Sequence, residues 1–107
     1  MSYDPVCHVD DILPDTGVCA RIGQHHVAVF RVGDDRFYAI DNVDPKSGAS
    51  VLARGLIGSA GDRIVVASPL YKNRFDLDSG ECLDAPGQSV RCHAVKVDAG
   101  RVFVALR

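Results

Sequence analysis

Short runs of β-favouring residues, each closed by glycine, proline or aspartate, recur along the whole chain at intervals of about eight to twelve positions. No stretch long enough for a stable helix repeats its apolar residues with the 3.6-residue period. A chain with that rhythm has few choices. Its apolar side chains alternate across strands, so they must be buried between sheets or inside a barrel, and almost no helix is expected.

The clearest unit is His26–Val32 and Arg36–Ile40 joined through Gly33-Asp34-Asp35, a hairpin. On its first strand Val27 and Val29 point to one side and Ala28 and Phe30 to the other, so both faces are expected to be covered. Further strands are expected at Val6–Val9, Val18–Ile22, Ile64–Ala67, Asn73–Leu77, Glu81–Leu83 and His93–Val97, with Arg101–Leu106 closing the chain. Ser50–Arg54 suits a single helical turn, with Ser50 as its cap and Gly55 just beyond its end. Gly55–Gly61 reads as a short strand and a loop.

A chain of 107 residues fits one domain, here 1–107, without staples. Hydrophobic residues make up 47% and charged residues 24%, which argues against disorder. The formal charge of −2 and an aromatic content of 7% disfavour a barrel for single-stranded nucleic acid, which needs a basic groove and stacking rings. The longest apolar run, Val102–Leu106, is far too short to span a bilayer. The N-terminus, MSYDPVCHVDD, does not read as a signal peptide, so no membrane association and a cytoplasmic location are expected. Cysteines at 7, 19, 82 and 92 show no C-x-x-C spacing and are expected to be free thiols.

Two loops carry the chemical information. Asp41–Gly48 (DNVDPKSG) leaves the hairpin, and Ser68–Glu81 (SPLYKNRFDLDSGE) follows the strand at Ile64–Ala67. The second contains Arg74-Phe75-Asp76-Leu77 and then Ser79-Gly80-Glu81. Two such loops on a small all-β domain resemble the tip of a Rieske ferredoxin. That resemblance implies an all-β, Rieske-like sandwich of antiparallel sheets with a smaller, loop-rich tip over about 41–81. A Rieske [2Fe–2S] centre needs two thiolates and two imidazoles, which the family supplies as C-x-H and C-x-x-H. Here those positions read Asn42-Val43-Asp44 and Ser68-Pro69-Leu70-Tyr71, and no cysteine or histidine falls in either loop. Every donor suited to the cluster is replaced.

One branch of the superfamily has this character. The chain is similar, over nearly its whole length, to the small subunit of assimilatory NAD(P)H-dependent nitrite reductase. The similarity rests on Val6-Cys7, Asn42–Pro45, Val51–Ile57 (VLARGLI), Val66–Phe75 and Gly80–Leu83. What it implies is an accessory subunit that binds no cofactor itself. FAD, the NAD(P)H site, an iron–sulfur cluster and sirohaem would all lie on the large catalytic subunit, its partner, which reduces nitrite to ammonium. The alternatives are an interaction module of another reductase and a Rieske-type electron-transfer ferredoxin.

Other candidate groups have plainer readings. His25-His26, Cys92-His93 and Cys7-His8 lack zinc-ligand spacing, and neighbours on a strand point to opposite faces. Asp10-Asp11 and Asp34-Asp35 lie beside turn signals, where solvated aspartate is common. No catalytic, cofactor-binding or metal-binding residue is assigned. The expected partner contacts are Tyr71, Lys72 and Arg74 at the tip, Asn42 and Asp44 across from them, and Arg54 in the VLARGLI string.

Overall fold

A computed structural model describes residues 2–107. Nine strands form in the order β1 (Asp4–His8), β2 (Thr16–Ile22), β3 (His25–Val32), β4 (Arg36–Asp41), β5 (Leu56–Ala60), β6 (Arg63–Ala67), β7 (Arg74–Asp76), β8 (Cys92–Asp98) and β9 (Arg101–Ala105). Single 3₁₀ turns at Val9–Asp11 and Leu52–Arg54 are the helical segments among the described residues. No helix there is long and apolar enough to cross a membrane.

The strands build two antiparallel sheets. Six run in the order β1-β9-β8-β4-β3-β2, and three in the order β5-β6-β7. The expected hairpin forms, with register from Val27 opposite Asp41 to Val32 opposite Arg36, and Gly33 turns it at φ 62°. The large sheet is joined through β4 and β8 by only two residue pairs, Ala39 with His93 and Ile40 with Cys92. That narrow seam lets the β1-β9-β8 half fold over the β4-β3-β2 half.

Strand β3 is the spine because both of its faces are buried. Val27 and Val29 join Ile12, Ala39, Val102 and Val104 in the core of the large sheet. Ala28, Phe30 and Val32 face the other way, against Ile40, Leu52, Val66, Phe75 and Leu77. That second core lies between the large sheet and the small one. Burying each of these side chains contributes roughly 1.5–3 kcal/mol, and chain entropy offsets most of the sum.

Three local expectations are corrected. Ser50 does not cap the turn at Leu52–Arg54. Val51 holds the cap position, with no side-chain cap, and the Ser50 hydroxyl is engaged elsewhere, by Asn42 and His26. Glu81–Leu83 is not a strand but one bridge, Phe75 with Cys82, because the chain turns again at Pro86-Gly87. The 3₁₀ turn at Val9–Asp11 was not foreseen: Asp11 accepts a hydrogen bond from the His8 amide at 2.9 Å, which accounts for one of the two paired aspartates.

Gly55 marks where the chain crosses from the 3₁₀ turn into β5 against the end of β6. A Cβ there would collide with the Ala67 carbonyl oxygen and lie 2.7 Å from Cγ2 of Val66. The constraint is space, since Gly55 itself is extended (φ −72°, ψ 168°). Gly55→Ala is therefore expected to destabilise the fold by about 2 kcal/mol or more. Gly58→Ala, where a Cβ meets nothing within 4 Å, should stay within about 0.5 kcal/mol of the parent. Urea unfolding midpoints at unchanged slope measure both.

Candidate functional site

The loop after β4 and the loop after β6 meet at one end of the molecule. Asn42, Asp44 and Ser68 are almost fully buried there, at 2%, 0% and 1% exposure. Polar side chains that deep must be satisfied, and each of these is.

Asn42 spends its whole amide. Its Oδ1 accepts from the Ala53 amide at 2.6 Å, and its Nδ2 donates to the Ser50 hydroxyl at 2.7 Å and to the Cys19 sulfur at 3.4 Å. Its backbone is used as well. The amide donates to the His26 carbonyl, and the carbonyl accepts from both Val51 and Leu52. One residue thus ties β2, β3 and the Leu52–Arg54 turn together.

Asp44 joins the two loops. Its Oδ1 accepts from the Lys46 amide at 2.9 Å, the local turn that aspartate favours. Its Oδ2 accepts from the Ser68 hydroxyl at 2.5 Å. An O–H···O contact of that length is at the short, strong end of the range. Ser68 closes its own loop too. Its amide donates to the Asn73 carbonyl, and its carbonyl accepts from the Lys72 amide. Lys72 completes the tight turn at φ 63°, a left-handed conformation uncommon outside glycine.

The fourth position, Tyr71, is different. It is 49% exposed, and the Lys46 ammonium sits 4.6 Å from its ring centroid, a cation–π contact between the loops. Lys72 and Arg54 are exposed, and both line a hollow of about 210 Å³ with Leu56 and Pro69. Arg74 is held in a bidentate pair with Asp84, at 3.0 and 2.7 Å, and its amide also reaches that carboxylate at 2.8 Å. These bonds from Arg74 hold the Asp84 carboxyl down at about 2.

The six expected partner contacts therefore separate. Arg54, Tyr71 and Lys72 stand together on the surface. Arg74 is exposed but already paired. Asn42 and Asp44 are corrections: they are buried and fully hydrogen-bonded, so they cannot reach a partner. Sequence reasoning missed Ser68 as a structural donor, and it missed the exposed apolar side chains Val43, Leu56 and Leu70 at this end. The uncharged run Ile64–Tyr71, continuing past the end of β6 at Ala67, was the available signal for Leu70.

A second hollow, of about 480 Å³, lies between the loop after β4 and the end of the chain, lined by His25, His26, Asp41, Arg91, His93 and Arg107 among others. Its buried histidine is engaged at both ring nitrogens. His93 Nδ1 accepts from the Arg107 amide at 3.1 Å, which leaves Nε2 to donate to Asp41 at 2.8 Å.

Two facing loops, one from each sheet, on this all-β frame define a Rieske-like domain. The family profile described as the Rieske-like [2Fe–2S] domain matches residues 2–105. Over 101 residues, 94% of each chain, the sequence is 46% identical to the nitrite reductase (NADH) small subunit of Escherichia coli K12. It superposes on the solution structure of the E. coli protein NirD with a TM-score of 0.89 at 43% identity, covering 96% of this chain and 94% of that one. The chain belongs to the nitrite reductase (NADH) small-subunit family. A further relative, the nitrite reductase (NAD(P)H) large subunit of Klebsiella oxytoca, is 45% identical over 102 residues, which is 95% of this chain but only 11% of that protein.

The domain class implies a [2Fe–2S] cluster, and the residues present do not fit one. An amide, a carboxyl, a hydroxyl and a phenol occupy the four donor positions, where iron and sulfide need thiolate and imidazole. Three of the four are already spent on hydrogen bonds within the protein. Among the described residues, no three His, Cys, Asp or Glu side chains are placed to hold a metal ion.

Two predictions follow from this geometry. Ser68→Ala removes the donor to a buried carboxyl oxygen and is expected to cost about 1–3 kcal/mol. Ser68→Thr, which restores the hydroxyl, should recover part of it, as unfolding midpoints will report. For Arg74 and Asp84 the sign is that of a depressed carboxyl. The pair's contribution is complete above the ordinary aspartate value of 3.8 and is lost as pH falls toward about 2. The partial exposure of the pair keeps that contribution small. An NMR titration should show Asp84 rising toward the ordinary range in Arg74→Ala, without reaching it fully, because the backbone amide of residue 74 still donates to the carboxylate.

Proposed function

We propose that this chain is the cofactor-free accessory subunit of an NAD(P)H-dependent nitrite reductase of the cytoplasm. It acts by binding the large catalytic subunit, which would carry FAD, the iron–sulfur cluster and sirohaem and reduce nitrite to ammonium.

The observation that carries this reading is the buried Asp44–Ser68 hydrogen bond, with Asn42 stitched in behind it. The two loops are held together by their own side chains, at the positions where the domain class would place metal donors. An electron carrier needs a redox centre, and these residues offer none the chemistry to bind. What remains is a rigid surface, and a rigid surface is suited to binding. The partner is supported by the K. oxytoca relative, in which a stretch 45% identical to this chain lies within a protein named as the large subunit. Joining two modules in one chain raises their effective concentration when they work against each other.

The test is to purify the candidate large subunit with and without this chain. The chain alone is expected to contain no stoichiometric iron and to show no visible iron–sulfur absorption. Nitrite-dependent NAD(P)H oxidation by the large subunit should fall when the chain is withheld and return when it is added back. Stoichiometric iron in the purified chain, or activity indifferent to its presence, would falsify the proposal.

A further inference from the structure

Only six large apolar side chains are strongly exposed among the described residues, and four of them lie at the end where the two loops meet. Leu56 is 78% exposed, Leu70 51%, Tyr71 49% and Val43 39%. Leu56 and the Ser68–Asn73 loop share the walls of one hollow, where Arg54, Pro69 and Lys72 also contribute. Leu56 opens β5, whose outer edge pairs with no strand among the described residues. A clustered apolar patch of this kind on a small domain marks a place where another surface belongs.

The charge around the patch is of one sign. Lys46, Arg54 and Lys72 are exposed and form no ion pair among the described residues. The nearby carboxyls are spent: Asp44, on the loop after β4, is buried in its bond to Ser68, and Asp84, beyond β7, is bound by Arg74. This end is therefore positive on a chain whose formal charge is −2. The patch is also pre-shaped. Leu70 and Tyr71 ride on a loop closed at both ends by Ser68 and turned by Lys72 at φ 63°. Little ordering entropy is lost when such a loop is covered.

We infer that Leu56, Leu70 and Tyr71, rimmed by Lys46, Arg54 and Lys72, form the surface that docks the large subunit, and that the partner meets it with an apolar depression bordered by aspartate or glutamate. This rests on the proposed function for the identity of the partner. The division of work follows from the chemistry. The apolar side chains supply affinity when water is excluded, and the unpaired cations speed and orient encounter with an acidic rim. The contacts are thus mainly apolar at the centre and cationic at the edge, with Asn42 and Asp44 acting from beneath as supports.

The experiment measures binding of the full chain to purified large subunit. Leu56→Glu and Leu70→Glu change exposed side chains, and each is expected to weaken binding by about tenfold or more. Lys72→Glu should slow association and flatten its dependence on salt. Leu13→Glu changes an equally exposed leucine, 70% accessible, that precedes β2 near the opposite end of β3, and should bind like the parent. Hydrogen exchange on the unmodified pair removes any dependence on folding of the variants: the amides of Leu70–Asn73 should gain protection in the complex. If the parent chain binds and those amides stay unprotected, with both leucine variants binding normally, this surface is wrong while the accessory role stands. If the parent chain does not bind the large subunit at all, the role itself is overturned.

Discussion

A single hydrogen bond, from the Ser68 hydroxyl to Asp44 Oδ2 at 2.5 Å, holds the two sheets in register at the end where the two loops meet. Asp44 belongs to the loop leaving β4 of the large sheet, and Ser68 follows β6 of the small one. Elsewhere the sheets are held by non-directional packing of Phe30, Leu52, Val66 and Phe75. Such packing resists separation but gives little resistance to sliding. A short polar bond between fully buried groups does, because shifting it leaves both partners unsatisfied in a place water cannot reach. The loop geometry, the exposure of Leu70 and Tyr71 and the placement of Lys46 over the Tyr71 ring all sit on top of that constraint.

In a metal-bearing domain of this class the cluster itself would join the two loops, through ligands from each. Here the joining is done by an amide, a carboxyl and a hydroxyl. The substitution is chemically coherent across positions. Asn42 offers two donors and an acceptor, and it finds Ser50, Cys19 and Ala53. Asp44 offers acceptors only, and it finds a hydroxyl and an amide. A thiolate and an imidazole lost without such replacements would leave a cavity or orphaned backbone groups. Instead the same shape is kept with a different set of bonds, which is why the fold stays close to that of its class while the donor chemistry departs from it.

The frame was legible in the sequence because its signals are local. Alternation on β3, the Gly33 turn and the closing hairpin each declare themselves within a dozen residues. The facing of the two loops was legible only through the likeness of strings such as VLARGLI, since nothing local says that residue 44 meets residue 68. Burial was the hidden quantity. Asn42 and Asp44 read as surface contacts because polar residues in a loop are usually solvated, and only the long-range partners Ser68 and Ala53 reverse that. Arg74 read as free for the same reason, since its partner Asp84 lies ten residues on across a turn. The exposure of Leu56 and Leu70 was not legible, because apolar residues are usually covered and the exception is visible only in three dimensions.

The same burial that removes Asn42 and Asp44 from the surface gives the surface its character. A carboxyl turned inward no longer neutralises the lysines and arginine around it. With Asp44 engaged by Ser68 and Asp84 by Arg74, the free charges left at this end are all positive. Bare leucines beside unpaired cations would be a liability if the loop were mobile, exposing an adhesive patch in many shapes. Fixed by Ser68 and by the left-handed turn at Lys72, the patch presents one shape. Sequence, through a serine and an aspartate where metal donors belong in the domain class, thereby sets both the rigidity and the sign of the surface. An internal lock of two small polar side chains thus fixes the shape of the surface above it.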